Sequence, residues 1–391
     1  MAALTLDARL ALARSSAEEL ERVGPQVIDS AVAEIEQPRR FAERELRTAL
    51  DFARALPSLA EPLRSRPAPA VSGRTDIEWR PFGVALGWHA ANAPTWVPAL
   101  VTLSGLVAGN AVISRPSARA RLTSRAVVEA LARPWPDDAV RVADLDATEA
   151  LPLLWHDLVH VVVAHGSTET CRRHVAALGR AYLDGARMRP YIPEASGNDA
   201  LLVLDGADLD RAAEAAAVGG FANGGQLCMA AKRIIVERSV WQSFRPRLIE
   251  AVSALRVGPA ADPATDVVPL RAGRGFQRAV AALDAALAAG GVPVVGEGIR
   301  DGALTPTVVE LPDSALETPL WVEESFAPLR GLTVVADQSR AVELANASRY
   351  GLGAAVFGGE ASVAERLDAA RVVVGEGPLY SDPHLVVGGV R

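Results

Sequence analysis

The chain has 391 residues, of which 50% are hydrophobic and 22% charged, and its formal net charge is -7. This composition is typical of a soluble globular protein of two or three domains, and the acidic balance argues against a nucleic-acid-binding surface. No apolar run is long enough for a membrane span, and no export leader follows Met1, so we expect a cytoplasmic protein that does not contact a membrane. Two cysteines and six scattered histidines predict neither a disulfide framework nor a metal site.

The N-terminal part of the chain predicts structure rather than chemistry. Residues 4–63 are rich in Ala, Leu, Glu and Arg and predict a helical layer that covers a sheet. Pro25 predicts a break between the first helices, and residues 64–80 predict a loop or short hairpin.

Two strand ends then carry polar candidates. The segment 81–94 predicts an apolar strand, a turn at Asn92 and a helix that starts at Pro94. The Asn92 amide at this corner either points into a cleft or caps the helix. A second predicted strand follows and ends in the polar turn Arg115-Pro-Ser117.

Further strands, at residues 140–143 and 158–164, alternate with helices, and this alternation predicts a parallel, doubly wound sheet. The second of these strands runs into Gly166-Ser167 at the start of a helix. A backbone without a Cβ suits the approach of a phosphate or ribose there. We assign no catalytic role to Cys171, which follows in the same helix.

Two later segments carry acidic candidates. Glu194 opens the run Glu194-Ala-Ser-Gly-Asn198 before a buried strand, and by itself it fits a surface residue at a strand end. Glu324 and Phe326 precede Pro328 in a segment that also fits an acidic surface turn.

The central candidate of the sequence is Cys228. It lies in the stretch Phe221-Ala-Asn-Gly-Gly-Gln-Leu-Cys-Met-Ala-Ala-Lys-Arg-Ile-Ile-Val236. This stretch predicts a tight turn at Gly224-Gly225, a short helical start that carries Cys228, and a buried strand. Unpaired N–H groups and the helix dipole there would lower the pKa of Cys228 and hold an oxyanion after the sulfur attacks a carbonyl carbon. A lone cysteine among small apolar residues is also a common core residue.

These segments, in this order, resemble the landmarks of the aldehyde dehydrogenase superfamily. The run from Gly225 to Arg233 is most similar to succinate-semialdehyde-type dehydrogenases. The resemblance implies that Cys228 is the nucleophile and that Asn92 and the nucleophile's own N–H form the oxyanion hole. It also implies that Glu194 is the general base, a task that suits a carboxyl whose pKa is raised by apolar neighbours.

The resemblance also implies a bound NAD or NADP. The positions that match the family's cofactor-binding elements are Arg115, Ser117, Gly166, Ser167, Glu324 and Phe326. Ala118 stands where the family often has a Glu, so repulsion of a 2′-phosphate is removed. Arg115 and Arg119 could pair with that phosphate, unless these arginines face solvent. This pattern favours NADP over NAD.

The fold implied is α/β and aldehyde dehydrogenase-like, with two doubly wound parallel-sheet domains and the active site between them. We expect a cofactor-binding, Rossmann-like domain with N-terminal helices at 1–194, a catalytic domain at 195–375 and a truncated C-terminal segment at 376–391. Both ends are shorter than is usual in the family, and the oligomerisation tail is largely missing. A homodimer would therefore not use the family's tail-swapped arrangement.

The predicted function is NAD(P)-dependent oxidation of a small-molecule aldehyde to a carboxylic acid, through a cysteine thiohemiacetal and a thioester. One alternative passes the thioester to coenzyme A or a carrier protein, or runs in reverse as an acyl-thioester reductase. Another is a non-catalytic relative that acts as a scaffold. The joint presence of Asn92, Glu194, Cys228 and Glu324 argues against the scaffold, and the sequence does not specify the aldehyde.

Overall fold

The computed structural model describes residues 4–64, 78–380 and 382. The chain divides into two compact units: unit 1 is residues 1–35 and 42–195, and unit 2 is residues 36–41 and 196–391. Most of the loop or hairpin predicted at 64–80 lies outside the described residues.

The sheet of unit 1 has five parallel strands in the order β3-β2-β1-β4-β5. The strands are β1 (Val84–Trp88), β2 (Ala111–Arg115), β3 (Val140–Val142), β4 (Val161–His165) and β5 (Tyr191–Glu194). The helices are α1 (Leu6–Ile35), α2 (Arg39–Leu59), α3 (Trp96–Val107), α4 (Arg121–Ala132) and α5 (Thr168–Leu183). The strand order reverses between β1 and β4, so the predicted doubly wound parallel sheet is confirmed.

Two apolar clusters hold unit 1 together. One joins helices α1 to α4 to strands β2 and β3, and Leu103 and Val127 are fully buried in it. The other joins α5 to β1 and β4 through Leu86, Val162 and Leu178. Burying each such side chain contributes about 1.5–3 kcal/mol, so the sheet that carries the polar strand ends is firmly supported.

The first helix continues past the break predicted at Pro25. Helix α1 runs through this proline and packs along α4, with Leu20 and Val27 buried. It ends instead before Glu36, which has a left-handed φ of 53°, and Pro38 follows. In the described part of the chain, neither α1 nor any other helix is long and apolar enough to cross a membrane.

Unit 2 is built on a seven-stranded sheet in the order β14-β13-β6-β7-β12-β11-β8, in which only β8 runs antiparallel to its neighbour. Its strands are β6 (Asp199–Val203), β7 (Ala231–Glu237), β8 (Val292–Val295), β11 (Thr307–Glu310), β12 (Leu329–Val335), β13 (Gly353–Phe357) and β14 (Arg371–Val374). A separate antiparallel pair is formed by β9 (Ile299–Arg300) and β10 (Ala303–Leu304). The helices are α6 (Leu209–Phe221), α7 (Arg238–Ser253), α8 (Gly273–Ala288), α9 (Pro319–Val322), α10 (Gln338–Asn346) and α11 (Ser362–Glu365).

The middle of this sheet is apolar on both faces. All residues of β6 are buried, and Ile234, Ile235 and Val236 of β7 are fully buried. Such continuous apolar runs are typical of parallel strands that are covered by helices on both sides. The segment before β7 is therefore attached to the most buried part of unit 2.

Candidate active site

The Cys228 loop, residues 222–230, connects α6 to the central strand β7. It bends through left-handed backbone angles, with φ of 53° at Asn223, 63° at Gly224 and 71° at Gly225. Cys228 lies in a turn just before β7, and the residue as a whole is half-buried. The predicted turn and buried strand are confirmed, but the predicted helical start at Cys228 is wrong because the chain turns directly into the strand.

A buried arginine from β12 fixes this loop. Arg330 is 0% exposed, and it donates to Gly220 O from Nε at 2.7 Å and to Gly225 O from Nη2 at 3.1 Å. Its Nη1 also donates to Ser325 O at 3.1 Å and to Leu329 O at 2.6 Å. A buried cation must keep its acceptors, so these carbonyl groups are held in place.

The structure corrects the predicted ionisation of Cys228. Burial raises the pKa of its thiol to about 11; Lys232 acts in the opposite direction, and Glu324 and Asp199 raise the pKa further. The predicted lowering depended on a helix N-terminus, and Cys228 has none beside it. The nearby positive charge is instead the ammonium of Lys232, whose side chain is 0% exposed.

Glu324 lies beside this lysine. Its Oε1 accepts a hydrogen bond from the backbone N–H of Gly197 at 3.0 Å and lies 3.8 Å from Nζ of Lys232. The side chain is 13% exposed, so Glu324 is not part of a solvated surface turn. Phe326 is half-buried two residues further on. The roles of Glu324 and Phe326 toward a cofactor stay predictions.

In unit 1, Asn92 lies in the bend between β1 and α3, at the predicted strand-to-helix corner, and is half-buried. It does not cap the helix. Thr95 occupies the N-cap position, and the carboxylate of Glu45 accepts hydrogen bonds from the backbone N–H groups of Thr95 at 2.8 Å and Trp96 at 2.7 Å. The helix start is thus satisfied without the Asn92 side chain, whose role in an oxyanion hole stays a prediction.

Glu194 ends strand β5, where it pairs in register with His165 of β4. Its backbone carbonyl accepts a hydrogen bond from the N–H of Gly166 at 3.0 Å. The side chain is half-buried, and burial raises the pKa of its carboxyl. The predicted direction of this pKa shift is confirmed, whereas the role of general base stays a prediction.

Two serines close the turns that follow β2 and β4. The Oγ of Ser167 accepts from the N–H of Thr170 at 3.2 Å and caps α5, which starts where the sequence predicted a helix. A Cβ at Gly166 would lie 3.3 Å from the Thr170 side chain, so this turn has little room for a larger residue. The Oγ of Ser117 accepts from the N–H of Arg119 at 3.4 Å.

Arg115 points into unit 1. It is 4% exposed, its guanidinium carbon lies 4.3 Å from the centroid of the Trp88 ring, and its Nε donates to Leu145 O at 3.2 Å. Burial lowers the pKa of this guanidinium. The alternative that Arg115 faces solvent is therefore wrong, and the exposed arginine of this turn is Arg119.

Sequence reasoning missed a polar network near this arginine. Trp88 and His174 make an edge-to-face contact at 4.4 Å, and His174 Nδ1 lies at hydrogen-bond distance, 3.0 Å, from the hydroxyl of Tyr191. Burial raises the pKa of the Cys171 thiol, which is hydrogen-bonded to the same tyrosine. These residues lie on three different elements, so no local pattern could have grouped them.

The candidate cofactor residues of unit 1 follow the carboxyl ends of parallel strands. Arg115 and Ser117 lie at the end of β2, and Gly166 and Ser167 lie after β4. Dinucleotides bind outside the carboxyl ends of such a sheet, at the point where the strand order reverses. The N-terminus of α5 adds backbone N–H groups that suit a phosphate. The residues present therefore fit NAD or NADP.

Comparison with known proteins identifies the class. Residues 1–391 match the model of the aldehyde dehydrogenase family, so the chain belongs to this family. Its predicted family, its α/β fold class and its assignment as an aldehyde dehydrogenase are confirmed.

The similar proteins include both sequences and structures. The chain is 29% identical to a "Succinate-semialdehyde dehydrogenase [NADP(+)]" of Mycobacterium avium, over 99% of this chain and 83% of that protein. It is 33% identical to an enzyme of the same name from Deinococcus radiodurans, over 86% of this chain and 69% of that protein. The NADP complex of an NADP-dependent glyceraldehyde-3-phosphate dehydrogenase from Bacillus halodurans matches with a TM-score of 0.88 and 25% identity, over 100% of this chain and 82% of that chain.

Proposed function

We propose that the protein oxidises an aldehyde to a carboxylic acid, with NADP as its preferred cofactor and Cys228 as its nucleophile. The observation that carries the proposal is the position of Cys228. It is a half-buried cysteine on a loop that a buried arginine fixes, in a chain that belongs to the aldehyde dehydrogenase family. A core cysteine would not need such an anchored, left-handed loop.

The first step is addition of the thiolate to the substrate. Sγ of Cys228 bonds to the aldehyde carbon, and the carbonyl oxygen takes up the negative charge. The backbone N–H of Cys228 and the side-chain amide of Asn92 donate hydrogen bonds to this oxyanion. Donors that are already oriented are worth about 2.7–4 kcal/mol each in such sites.

When bound, the cofactor would supply the acceptor for the hydride that leaves the aldehyde carbon. The prediction of NAD or NADP is confirmed at the level of the family. In our proposal Ser117, Gly166 and Ser167 would hold the cofactor, and Glu324 and Phe326 would contact its nicotinamide end. Arg115 supports the turn from inside.

The preference for NADP has two supports. Ala118 offers no carboxylate that would repel a 2′-phosphate, and the neighbouring Arg119 is exposed and can pair with one. In addition, several relatives carry NADP(+) in their names.

The last step is hydrolysis of the thioester on Cys228. Glu194 takes a proton from a water molecule, the water oxygen bonds to the acyl carbon, and the carbon–sulfur bond breaks to release the carboxylic acid. The raised pKa of Glu194 suits this task because a stronger base removes the proton more readily.

The test is a panel of short, long and acidic aldehydes with NAD or NADP, in which cofactor reduction is followed by absorbance and the product by mass spectrometry. We expect at least one aldehyde to give its acid, with NADP reduced faster than NAD. Cys228→Ser should lose activity by about a thousandfold or more, because the nucleophile is removed.

The same panel separates the rival activities. If an acyl-CoA product appears only when coenzyme A is added, the last step is acyl transfer to coenzyme A and not hydrolysis. A flat response for every aldehyde would point to a scaffold. Activity of Cys228→Ser at the wild-type level would refute the proposed nucleophile.

A further inference from the structure

Lys232 is exceptional in this chain. The sequence contains 39 arginines and one lysine, and that lysine stands four residues after Cys228. At exposed basic positions lysine and arginine can usually replace each other, and this chain has arginine at all 39 of its other basic positions. The single lysine is therefore an exception to the chain's own preference. The exception is also fully buried, where the two side chains are least interchangeable.

The ammonium of Lys232 is bound to the Cys228 loop itself. Its Nζ donates to the carbonyl oxygen of Leu227 at 2.6 Å and to the carbonyl oxygen of Cys228. A compact ammonium with three donors can serve two consecutive carbonyl groups, whereas a guanidinium is larger and planar. Lysine therefore matches this position by shape as well as by charge.

The side of Lys232 that is not occupied by the loop faces a carboxylate. Glu324 Oε1 lies 3.8 Å from Nζ and also accepts the N–H of Gly197. A Cβ at Gly197 would lie 2.3 Å from the carbonyl oxygen of Cys228, so these segments are in close contact. Lys232 thus lies where the Cys228 loop, the Gly197 segment and the Glu324 segment of unit 2 meet.

A second carboxylate is coupled to the same charge. Asp199 is 2% exposed; its Oδ1 accepts from the N–H of Gly353 at 3.2 Å, and its Oδ2 has no hydrogen-bond partner among the described residues. Burial raises the pKa of Asp199 to about 7, and Lys232 acts in the opposite direction. The charge of Lys232 therefore acts on both the Asp199 carboxyl and the Cys228 thiol.

We propose that Lys232 is the positioning residue of Cys228: its ammonium fixes the carbonyl groups of the loop, and its charge stabilises the thiolate. The inference rests on the proposed function, since it concerns the proposed nucleophile. Asp199 and Glu324 oppose formation of the thiolate, so the balance among these groups sets the pH at which Cys228 reacts. The charged and titratable groups that face Lys232 or Asp199 in unit 2 are Cys228, Glu324, Arg233, Arg330 and Arg371.

The first test measures the alkylation rate of Cys228 by iodoacetamide, a neutral reagent, with mass spectrometry of the peptide that contains Cys228. At about pH 8.5 this rate follows the thiolate fraction, which changes about tenfold for each unit of pKa. Lys232→Met should react at least about tenfold more slowly than wild type. Asp199→Asn should react about threefold faster or more, because a competing negative charge is removed.

The controls separate charge from geometry. Arg340→Met removes an exposed cation of the same unit and should leave the rate unchanged. Lys232→Arg keeps the charge but not the two carbonyl contacts, so its rate should lie between wild type and Lys232→Met. A wild-type rate for Lys232→Met would overturn the inference.

A second test uses the wild-type fold and so does not depend on how Lys232→Met folds. Because the chain has one lysine, protein grown on lysine with isotope labels at Cε and Nζ gives one side-chain signal. We expect this signal to shift around the midpoint of the pH profile of Cys228 alkylation, where the thiolate forms, and to lose that shift in Cys228→Ser. An identical titration in both proteins would overturn the coupling.

The outcomes also separate this inference from the proposed function. If Cys228→Ser still oxidises aldehydes, the proposed function fails, while alkylation continues to report on the Lys232–Cys228 pair. If Cys228→Ser is inactive and Lys232→Met alkylates like wild type, only the role of Lys232 fails.

Discussion

At the residue scale, burial raises the pKa of two acids that have different proposed tasks. Glu194 must be ionised to take a proton from water, and its raised pKa makes the carboxylate a stronger base. Cys228 must be ionised to attack, and the same effect works against it, since its pKa is raised to about 11. A positive charge is therefore more important for Cys228 than for Glu194, and Lys232 provides it.

Glu194→Gln should stop the reaction at the thioester. We expect a rapid burst of reduced cofactor, one equivalent per active site, because addition and hydride loss do not need the base. The steady turnover that follows should be at least about a hundredfold slower than that of wild type. Stopped-flow absorbance and intact mass of the acyl-enzyme measure this. Glu343→Gln, an exposed glutamate paired with Arg340 on α10, is the matched control and should turn over like wild type.

The pH dependence of hydrolysis follows from the direction of the Glu194 shift. Only the ionised carboxylate accepts a proton, so hydrolysis should be lost as pH falls through a pKa that lies above the ordinary value of 4.5. Steady turnover in Glu194→Gln equal to wild type, or a hydrolysis midpoint at the ordinary value, would contradict the assignment.

At the element scale, the Cys228 loop is held by contacts with Arg330 of β12 and with the segment before that strand. Gly225 has a φ of 71°, and a Cβ there would lie 2.1 Å from Nη2 of Arg330 and 2.3 Å from the carbonyl oxygen of Ala327. The loop and the buried arginine are therefore fitted to each other, and a change in either should displace Cys228.

Gly225→Ala tests this fit, and Gly302→Ala is its matched control. Gly302 has the same φ of 71°, but a Cβ added there would meet no atom of the described residues within 4 Å, so its alanine carries only the cost of left-handed backbone, about 1 kcal/mol. Gly225→Ala carries that cost and the clash. We expect it to lower the melting temperature more than Gly302→Ala does and to reduce aldehyde oxidation at least about tenfold. Equal effects of the two substitutions would show that the close packing of Gly225 against Arg330 does not position Cys228.

At the scale of the whole molecule, each unit has its own sheet of mainly parallel strands, and the strand order of the first reverses between β1 and β4. Ligand binding to a folded protein raises its stability by mass action. A nicotinamide dinucleotide should therefore raise the melting temperature even without substrate. This readout tests cofactor binding separately from catalysis.

NADP should raise the melting temperature by on the order of 2–5 °C, and NAD at the same concentration by less. Arg119→Ala should reduce the NADP shift and leave the NAD shift unchanged, because it removes only the proposed partner of the 2′-phosphate. Differential scanning fluorimetry at matched cofactor concentrations measures both. Equal shifts in Arg119→Ala and wild type would exclude Arg119 as that partner.

The sequence by itself predicted the features that local patterns encode. The Val-rich strands, the helix start after Ser167, the Gly224-Gly225 turn and the family all follow from residue types at short spacings. Asn92 and Glu194 were placed correctly at strand ends for the same reason. The helix expected at Cys228 was wrong, because the path of that turn depends on Arg330, which is 105 residues beyond Gly225.

Only the tertiary structure decided which charges are buried and what they pair with. Arg115 turns inward to Trp88, and Lys232 reaches back to the carbonyl of Cys228, although both look like ordinary basic residues in the sequence. The pKa of an acid depends on desolvation and on charges that lie close in space. These quantities are properties of the packed chain, so the sequence could suggest Cys228 as a candidate nucleophile but could not give the pH at which it ionises.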